Sequence, residues 1–177
     1  MATKVSGETV PQLSTADTFM RFVSTSKKAV LDGLPTTGRN GFPRVASTRQ
    51  VTSDRFLLAA EHMRAGDTLL AANGYRTSIG RHYYAMYHSA RAISFAHHGG
   101  DDFENHTKLS RNLPSTIVDC VDRETELTAA RLLRNEADYE TYPVSATAWQ
   151  LEAIALSATA ATFLQHCETF ALENGYV

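Results

Sequence analysis

Apolar positions along this chain recur with the period of a helix, and no segment alternates with period two for long enough to make a strand. Between Ser78 and Ala96, read at 3.6 residues per turn, Ile79, Tyr83, Met86, Ala90 and Ile93 share one arc. Ser78, Ala85, Ser89, Ala92 and Ala96 form a second stripe of small residues. The first arc predicts a core face, and the second a face that admits close approach of another helix. A third arc carries Thr77, Arg81, Tyr84, His88 and Arg91, where a solvated face is ordinarily mixed in charge and rich in Lys and Glu. Two cations, a phenol and an imidazole in line suit an anionic ligand. The alternative is a packing role, with aromatic residues in the core and a hydrogen-bonded histidine among them.

The same period organises the rest. Phe19, Val23 and Val30 predict a short amphipathic helix over about residues 15–32 that Gly33 stops, after a polar terminus at residues 1–13. Residues 33–52 carry Gly and Pro breakers without periodicity and read as a linker of about twenty residues. Ser53 suits the N-cap of a helix with Phe56, Ala59, Ala60, Met63 and Leu70 on one face and Asn73-Gly74 as its stop. The next helix, about 76–98, ends at Gly99-Gly100. Asn105 can cap a short helix with His106, Leu109 and Leu113 on one side before Pro114 breaks it. A run over 115–138 is expected to bend near Asp122. Thr147 and Gln150 then match a capping box for a last helix bearing Trp149, Ile154, Leu156, Leu164 and Leu172, which ends at Asn174-Gly175. The expectation is an all-α fold, an antiparallel helical bundle of four main helices with short extra helices. The bundle would span residues 53–177, with residues 1–52 as an N-terminal basic arm.

A chain of 177 residues accommodates one domain with a proper core and an appendage. A formal net charge of −2 excludes a polyanion-binding surface of the histone kind, so any nucleic-acid contact must be local. Charge is nevertheless uneven: Met1 to Thr52 holds seven Lys or Arg against three acids, and the remainder ten against sixteen. The basic segment reads either as an arm that folds against a partner subunit or RNA, or as a solvated leader. Cys120 and Cys167 have no CxxC spacing, and no stretch resembles a signal peptide or a membrane span, which predicts a reducing, cytoplasmic location and no membrane partner. His97-His98 and His106 lack metal-ligand spacing, so neither a metal nor another cofactor is expected.

Three motifs in order carry a resemblance. Arg81-x-Tyr83-Tyr84-Ala85-Met86-Tyr87-His88-x-Ala90-Arg91-Ala92, Asn105-His106-x-x-Leu109 and Arg134-x-x-Ala137-Asp138-Tyr139 together resemble the HEPN family, the higher eukaryote and prokaryote nucleotide-binding domains, in its RxxADY-type subgroup. The resemblance covers about residues 53–173. It implies a helical bundle that often dimerises and belongs to toxin-antitoxin, CRISPR or phage-defence systems. It also implies one of two activities: metal-independent ribonuclease, with an Arg, a polar residue and a His that follows the Arg after four to six intervening residues, or nucleotide binding beside a minimal nucleotidyltransferase. Arg134 and Asn135 match the first two motif positions, but Tyr139, Glu140 and Thr141 stand where the His belongs.

A metal-independent cleavage of RNA needs a base for the ribose 2′-hydroxyl and a cation against the phosphorane. Arg134 offers the cation, and a base could come from His88 or His106 if either approaches it in space. The candidate catalytic residues are therefore Arg134, Asn135, Tyr139 and His88, with Arg81, Tyr84, Arg91, His106 and Arg131 for RNA or nucleotide binding. Small-residue helix faces would join two bundles into a homodimer. A structural alternative for the last motif pairs Arg134 with Asp138 one turn on and packs Tyr139 beneath Pro143. Two readings result: an RNA- or nucleotide-binding HEPN-type defence protein with weak or lost ribonuclease activity, or a non-catalytic adaptor for a nucleotidyltransferase or another protein.

Overall fold

In a computed structural model that describes residues 13–38 and 41–177, four long helices pack around one of their number. The helices are α1 (Thr15–Thr25), α2 (Lys28–Asp32), α3 (Arg44–Ala71), α4 (Tyr75–His98), α5 (His106–Leu109), α6 (Cys120–Tyr139) and α7 (Gln150–Glu173). The fold is an all-α helical bundle, with no strand among the described residues. Most of the polar terminus expected at residues 1–13 lies outside the described residues.

Helix α4 is the central element, touched by α3, α6 and α7, because two of its three arcs are apolar or small. Ile79, Tyr83, Met86, Ala90 and Ile93 are all buried and join Leu109, Leu127, Phe163 and Cys167 in the main core. Each fully buried side chain of this size contributes about 1.5–3 kcal/mol. The small stripe is used inside the chain: Ser78 Oγ donates to the Gly66 carbonyl of α3 at 3.0 Å, and Ser78, Ala85, Ser89 and Ala92 are buried. It therefore offers no surface for joining two bundles, which corrects the dimer face expected from sequence.

The expected linker is half helix. Breakers stop at Pro43, and α3 starts at Arg44, so Ser53 lies well inside a helix instead of capping one. Pro is tolerated where a helix begins, since the first N–H groups have no intrahelical partner. Residues 44–52 lack visible amphipathicity because a tertiary partner supplies it: Val51 joins Val23, Leu31, Phe42 and Phe95 in a second small core beneath α1 and α2. The described part of the basic segment is thus an arm docked on its own bundle.

The loop after α4 makes the dock. Gly99 (φ 79°) turns the chain out of the helix, and at Gly100 a Cβ would lie 2.1 Å from the Lys28 backbone nitrogen, so only glycine lets the arm come this close. Asp101 N–H then donates to the Ser26 carbonyl at 2.8 Å.

Asn105 caps α5 as expected, its Oδ1 accepting from Thr107 and Lys108 N–H. Residues 115–119 are turns and not the start of a helix: after Pro114 the chain plugs Ile117 into the core, and Asp119 adopts φ 53° before α6 begins. The capping box at Thr147 and Gln150 is absent; a 3-10 turn, Ala146–Trp149, leads into α7, and Ser145 and Thr147 bond each other at 2.8 Å. Burial of the Trp149 indole directs the chain here, with Nε1–H donating to Pro143 O at 3.1 Å. Trp149, Leu156 and Leu164 are buried, whereas Ile154 and Leu172 are exposed. Among the described residues no helix is long and apolar enough to cross a membrane.

Candidate functional site

The third arc of α4 is the one left accessible, and its residues meet two different environments. At the α6 side, Arg134 Nη2–H donates to the Tyr84 hydroxyl at 3.1 Å and Nη1–H to Asn135 Oδ1 at 3.2 Å. Its Nε stands 2.7 Å from Asp138 Oδ2, close enough for an ion pair though not aligned as a hydrogen bond. The guanidinium lies 5.4 Å from the ring centres of both Tyr84 and Tyr139. Burial works against its charge, but Tyr84, Asp138 and Tyr139 together outweigh that and raise the Arg134 pKa. The i,i+4 pair with Asp138 is as expected. Packing of Tyr139 beneath Pro143 is not: the ring is 72% exposed, and Trp149 takes the contact with Pro143 instead.

His106 enters this environment from α5. Its ring stacks on Tyr87 at 4.2 Å and lies edge-on to Tyr84 at 6.3 Å, and Nδ1 is hydrogen-bonded to the Tyr83 hydroxyl. Burial depresses its pKa first, and Arg134 and then Arg131 are the strongest charges acting in the same direction, so the imidazole is neutral at pH 7. Burial raises the Tyr83 pKa well above that of a free phenol, which keeps its proton on oxygen. The direction of this bond follows the imidazole tautomer: with the phenol as donor the ring proton sits on Nε2, and with the phenol as acceptor it sits on Nδ1. Arg131, one turn before Arg134, has a shielded Nε without a hydrogen-bond partner among the described residues. Arg131, Arg134, His106 and the Tyr84 hydroxyl thus converge, a set of donors with two cations, suited to phosphate oxygens.

His88 is elsewhere. It stacks on His62 of α3 at 5.2 Å with ring planes 8° apart, and His62 in turn stacks on Tyr84 at 5.4 Å. Burial, then the His62 and Arg91 charges, pull its pKa down to about 4. The His88 and His106 rings both lie 6.3 Å from the Tyr84 ring, but the Arg134 charge acts on His106, whereas the charges that act on His88 are led by His62 and Arg91.

Arg91 is also withdrawn from the candidate groove. Its Nε–H donates to Asp101 Oδ1 at 2.9 Å, and Nη2–H bonds Oδ2 of the same carboxylate. Arg55 of α3 binds Asp101 from the other side at 3.0 Å. Burial alone would raise the Asp101 pKa, but the Arg91 hydrogen bond and the Arg55 charge hold it below the ordinary carboxylate range. Arg91 is therefore a structural cation beneath the arm, and the continuous groove expected from Arg81 to Arg91 is interrupted.

Arg81 lies at the opposite end, exposed and without an ion pair or hydrogen bond among the described residues. It borders a cavity of about 410 Å³ between the start of α4 and the end of α6. His62 was not singled out from sequence. The signal that points to it is the polar series Arg55, His62 and Gly66, at spacings of seven and four on an arc beside the apolar face of α3. Among the described residues no group of three His, Cys, Asp or Glu side chains could hold a metal ion. No protein-family model matches the chain, and no curated protein matches it.

Proposed function

We propose that this is a HEPN-type protein of a toxin-antitoxin or phage-defence module that binds RNA or a nucleotide through phosphate, with metal-independent cleavage weak or lost. The observation that carries the reading is the convergence of Arg131 and Arg134 with a neutral His106 and the Tyr84 hydroxyl. In this reading Arg134 and Arg131 neutralise phosphate oxygens, and His106 Nε2–H and the Tyr84 hydroxyl add neutral donors. Asn135 orients Arg134 by accepting from Nη1–H. His88 and Tyr139 drop out as bases: burial holds the first at a pKa of about 4, and the second is an exposed phenol. The remaining imidazole is hydrogen-bonded to Tyr83 at Nδ1, and in the tautomer that accepts from the phenol it presents Nε2–H, which binds an anion and does not take a proton from a 2′-hydroxyl. Absence of a positioned base typically lowers such a rate by about 10²- to 10⁴-fold.

The test is binding of a short single-stranded RNA at low salt, where phosphate contacts are strongest. Arg134→Ala is expected to weaken binding by about tenfold, the loss of one charge-assisted contact of about 1.5–3 kcal/mol less relaxation. Affinity that is unchanged by the substitution overturns the reading.

The adaptor reading has one observation in its favour. Val121, Ala129 and Leu132 line an apolar depression of about 370 Å³ on the outer side of α6, with Val121 73% exposed. Such a strip suits a protein partner, either a second copy or a small nucleotidyltransferase. Wild-type protein that fails to bind RNA at low salt and associates through this face would favour it.

A further inference from the structure

Gly80 lies in the interior of α4, where glycine costs about 1 kcal/mol relative to alanine. Gly80 is buried, yet the end of α6 beside it leaves open space instead of packing onto it. A Cβ built at Gly80 meets a single atom within 4 Å, Asp138 Oδ1 at 3.7 Å. The space belongs to the cavity of about 410 Å³, whose walls include Arg76, Thr77, Arg81 and Asp138. Its size falls at the lower end of small-molecule pockets, roughly 300–1,000 Å³, which admits one nucleotide and not a run of them.

The wall is chemically two-sided. The Arg76 guanidinium is held 4.7 Å over the Trp149 ring while Nη2–H donates to the Glu140 carbonyl, so this cation is fixed at the rim. Arg81 is unengaged among the described residues. Asp138 gives Oδ2 to Arg134, and its Oδ1 accepts no hydrogen bond among the described residues. A lone carboxylate repels phosphate. Beside two guanidiniums it suits a ligand with an anionic end and a hydroxylated end, since hydroxyl groups donate to a carboxylate and phosphate oxygens accept from Arg.

We propose that this cavity holds one phosphorylated ribose unit, with its phosphate on Arg76 and Arg81 and a sugar hydroxyl donating to Asp138 Oδ1, so that Asp138 selects ribose over deoxyribose. The inference deepens the phosphate-binding reading and rests on it for the nucleic-acid character of the ligand. The unit could be a free mononucleotide or the phosphorylated end of an RNA, and the same contacts serve both.

Calorimetry at low salt tests it on the full chain with AMP, its 2′-deoxy counterpart, and a short RNA with and without a 5′-phosphate. Expected is AMP binding at least fivefold tighter than the deoxy form. Preference for the 5′-phosphorylated RNA over AMP identifies the RNA end as the source, and the reverse identifies the free nucleotide. Gly80→Leu, which fills the cavity, should weaken binding of the preferred ligand at least tenfold. Arg81→Ala, at an exposed position that leaves packing intact, should do the same and covers the case in which Gly80→Leu misfolds. Asp138→Ala, which removes the acceptor, should abolish the ribose preference. Failure of AMP and of 5′-phosphorylated RNA to bind preferentially, equal affinity for the deoxy form, or indifference to both Gly80→Leu and Arg81→Ala each overturns the inference. RNA affinity that still depends on Arg134 under any of those results leaves the broader reading standing, whereas loss of that dependence removes the broader reading itself.

Discussion

Single side chains divide the polar arc of α4 more sharply than its even spacing suggested. The composition of the arc could be read from period alone, because Arg81, Tyr84, His88 and Arg91 follow from 3.6 residues per turn. Their partners could not, because Asp101, His62 and Tyr83 come from other elements or another arc, and a one-dimensional pattern does not say which cation a distant carboxylate will claim. His88 shows the consequence. Its pKa is near 4 in the fold against 6.5 when free, through burial and the His62 and Arg91 charges. Between those values the unfolded chain binds a proton that the folded chain refuses, so stability falls as pH drops from about 6.5 to 4. After allowance for partial exposure the loss is about 2 kcal/mol. His88→Gln should flatten the fall of Tm across this window without removing it, because His62 and His106 are depressed in the same direction. An unchanged slope in the variant would contradict the assignment. Asp101 titrates in a separate range: its depressed pKa means that its contribution is complete above about pH 4 and is lost only in stronger acid.

Helices were legible where the chain supplies its own apolar face and its own stops. Helix α4 fulfils both, with Gly99 at its end, and α5 has its Asn105 cap. The start of α3 was hidden because Ser47, Val51 and Thr52 are buried without forming an apolar stripe of their own, and Val51 joins a core completed by Val23 and Leu31 of the arm. The α6 start was misplaced because a left-handed Asp119 leaves no mark in composition. Glycines within helices separate packing from free space in the same way. At Gly66 in α3 a Cβ would lie 2.6 Å from His82 Nε2, in a ring that is fully buried and held by Ser78 at 3.2 Å and Asp67 at 3.1 Å. That ring cannot swing aside. Gly66→Ala should therefore destabilise by about 1–2 kcal/mol, overpacking less the gain in helix propensity, and lower Tm by about 4 °C. Gly80→Ala meets ordinary contact only and should raise Tm by about 2 °C. Thermal melts of the two variants that move in the same direction would contradict the packing described for one of them.

The whole molecule is held as one body by a charge where the sequence placed a boundary. A division after residue 52 followed from breakers and charge, yet Asp101, 4% exposed between Arg55 and Arg91, holds the Arg55 that reaches the arm, and its own N–H donates to Ser26 of the arm. Arg55 also binds the Ser24 carbonyl of α1 and the Arg91 carbonyl of α4, so one carboxylate organises three helices. Burial lowers the Arg55 pKa to about 10, and Asp101 is the largest influence keeping it charged. Such a triad is not strong because charges attract; water competes for each of them, and a well-packed apolar replacement can be as stable. Its removal in part is different. Asp101→Asn leaves two guanidiniums facing each other out of water without a counter-charge, a change that typically costs about 3–5 kcal/mol. The loss should fall first on the arm, whose remaining attachments are the small core around Val23 and Leu31, the backbone bond from Asp101 N–H to the Ser26 carbonyl, the exposed Lys27–Glu104 ion pair and the bond from Lys28 N–H to Asp102. Trypsin should then cut at Lys27 and Lys28 well before it degrades the bundle, and urea unfolding should show an early step absent from the wild type. Replacement of all three charges, by Arg55→Met, Arg91→Met and Asp101→Leu together, should restore resistance at Lys27 and Lys28. Equal cleavage rates in wild type and Asp101→Asn would mean that the apolar contacts alone hold the arm, and that the buried carboxylate is not what joins it to the bundle.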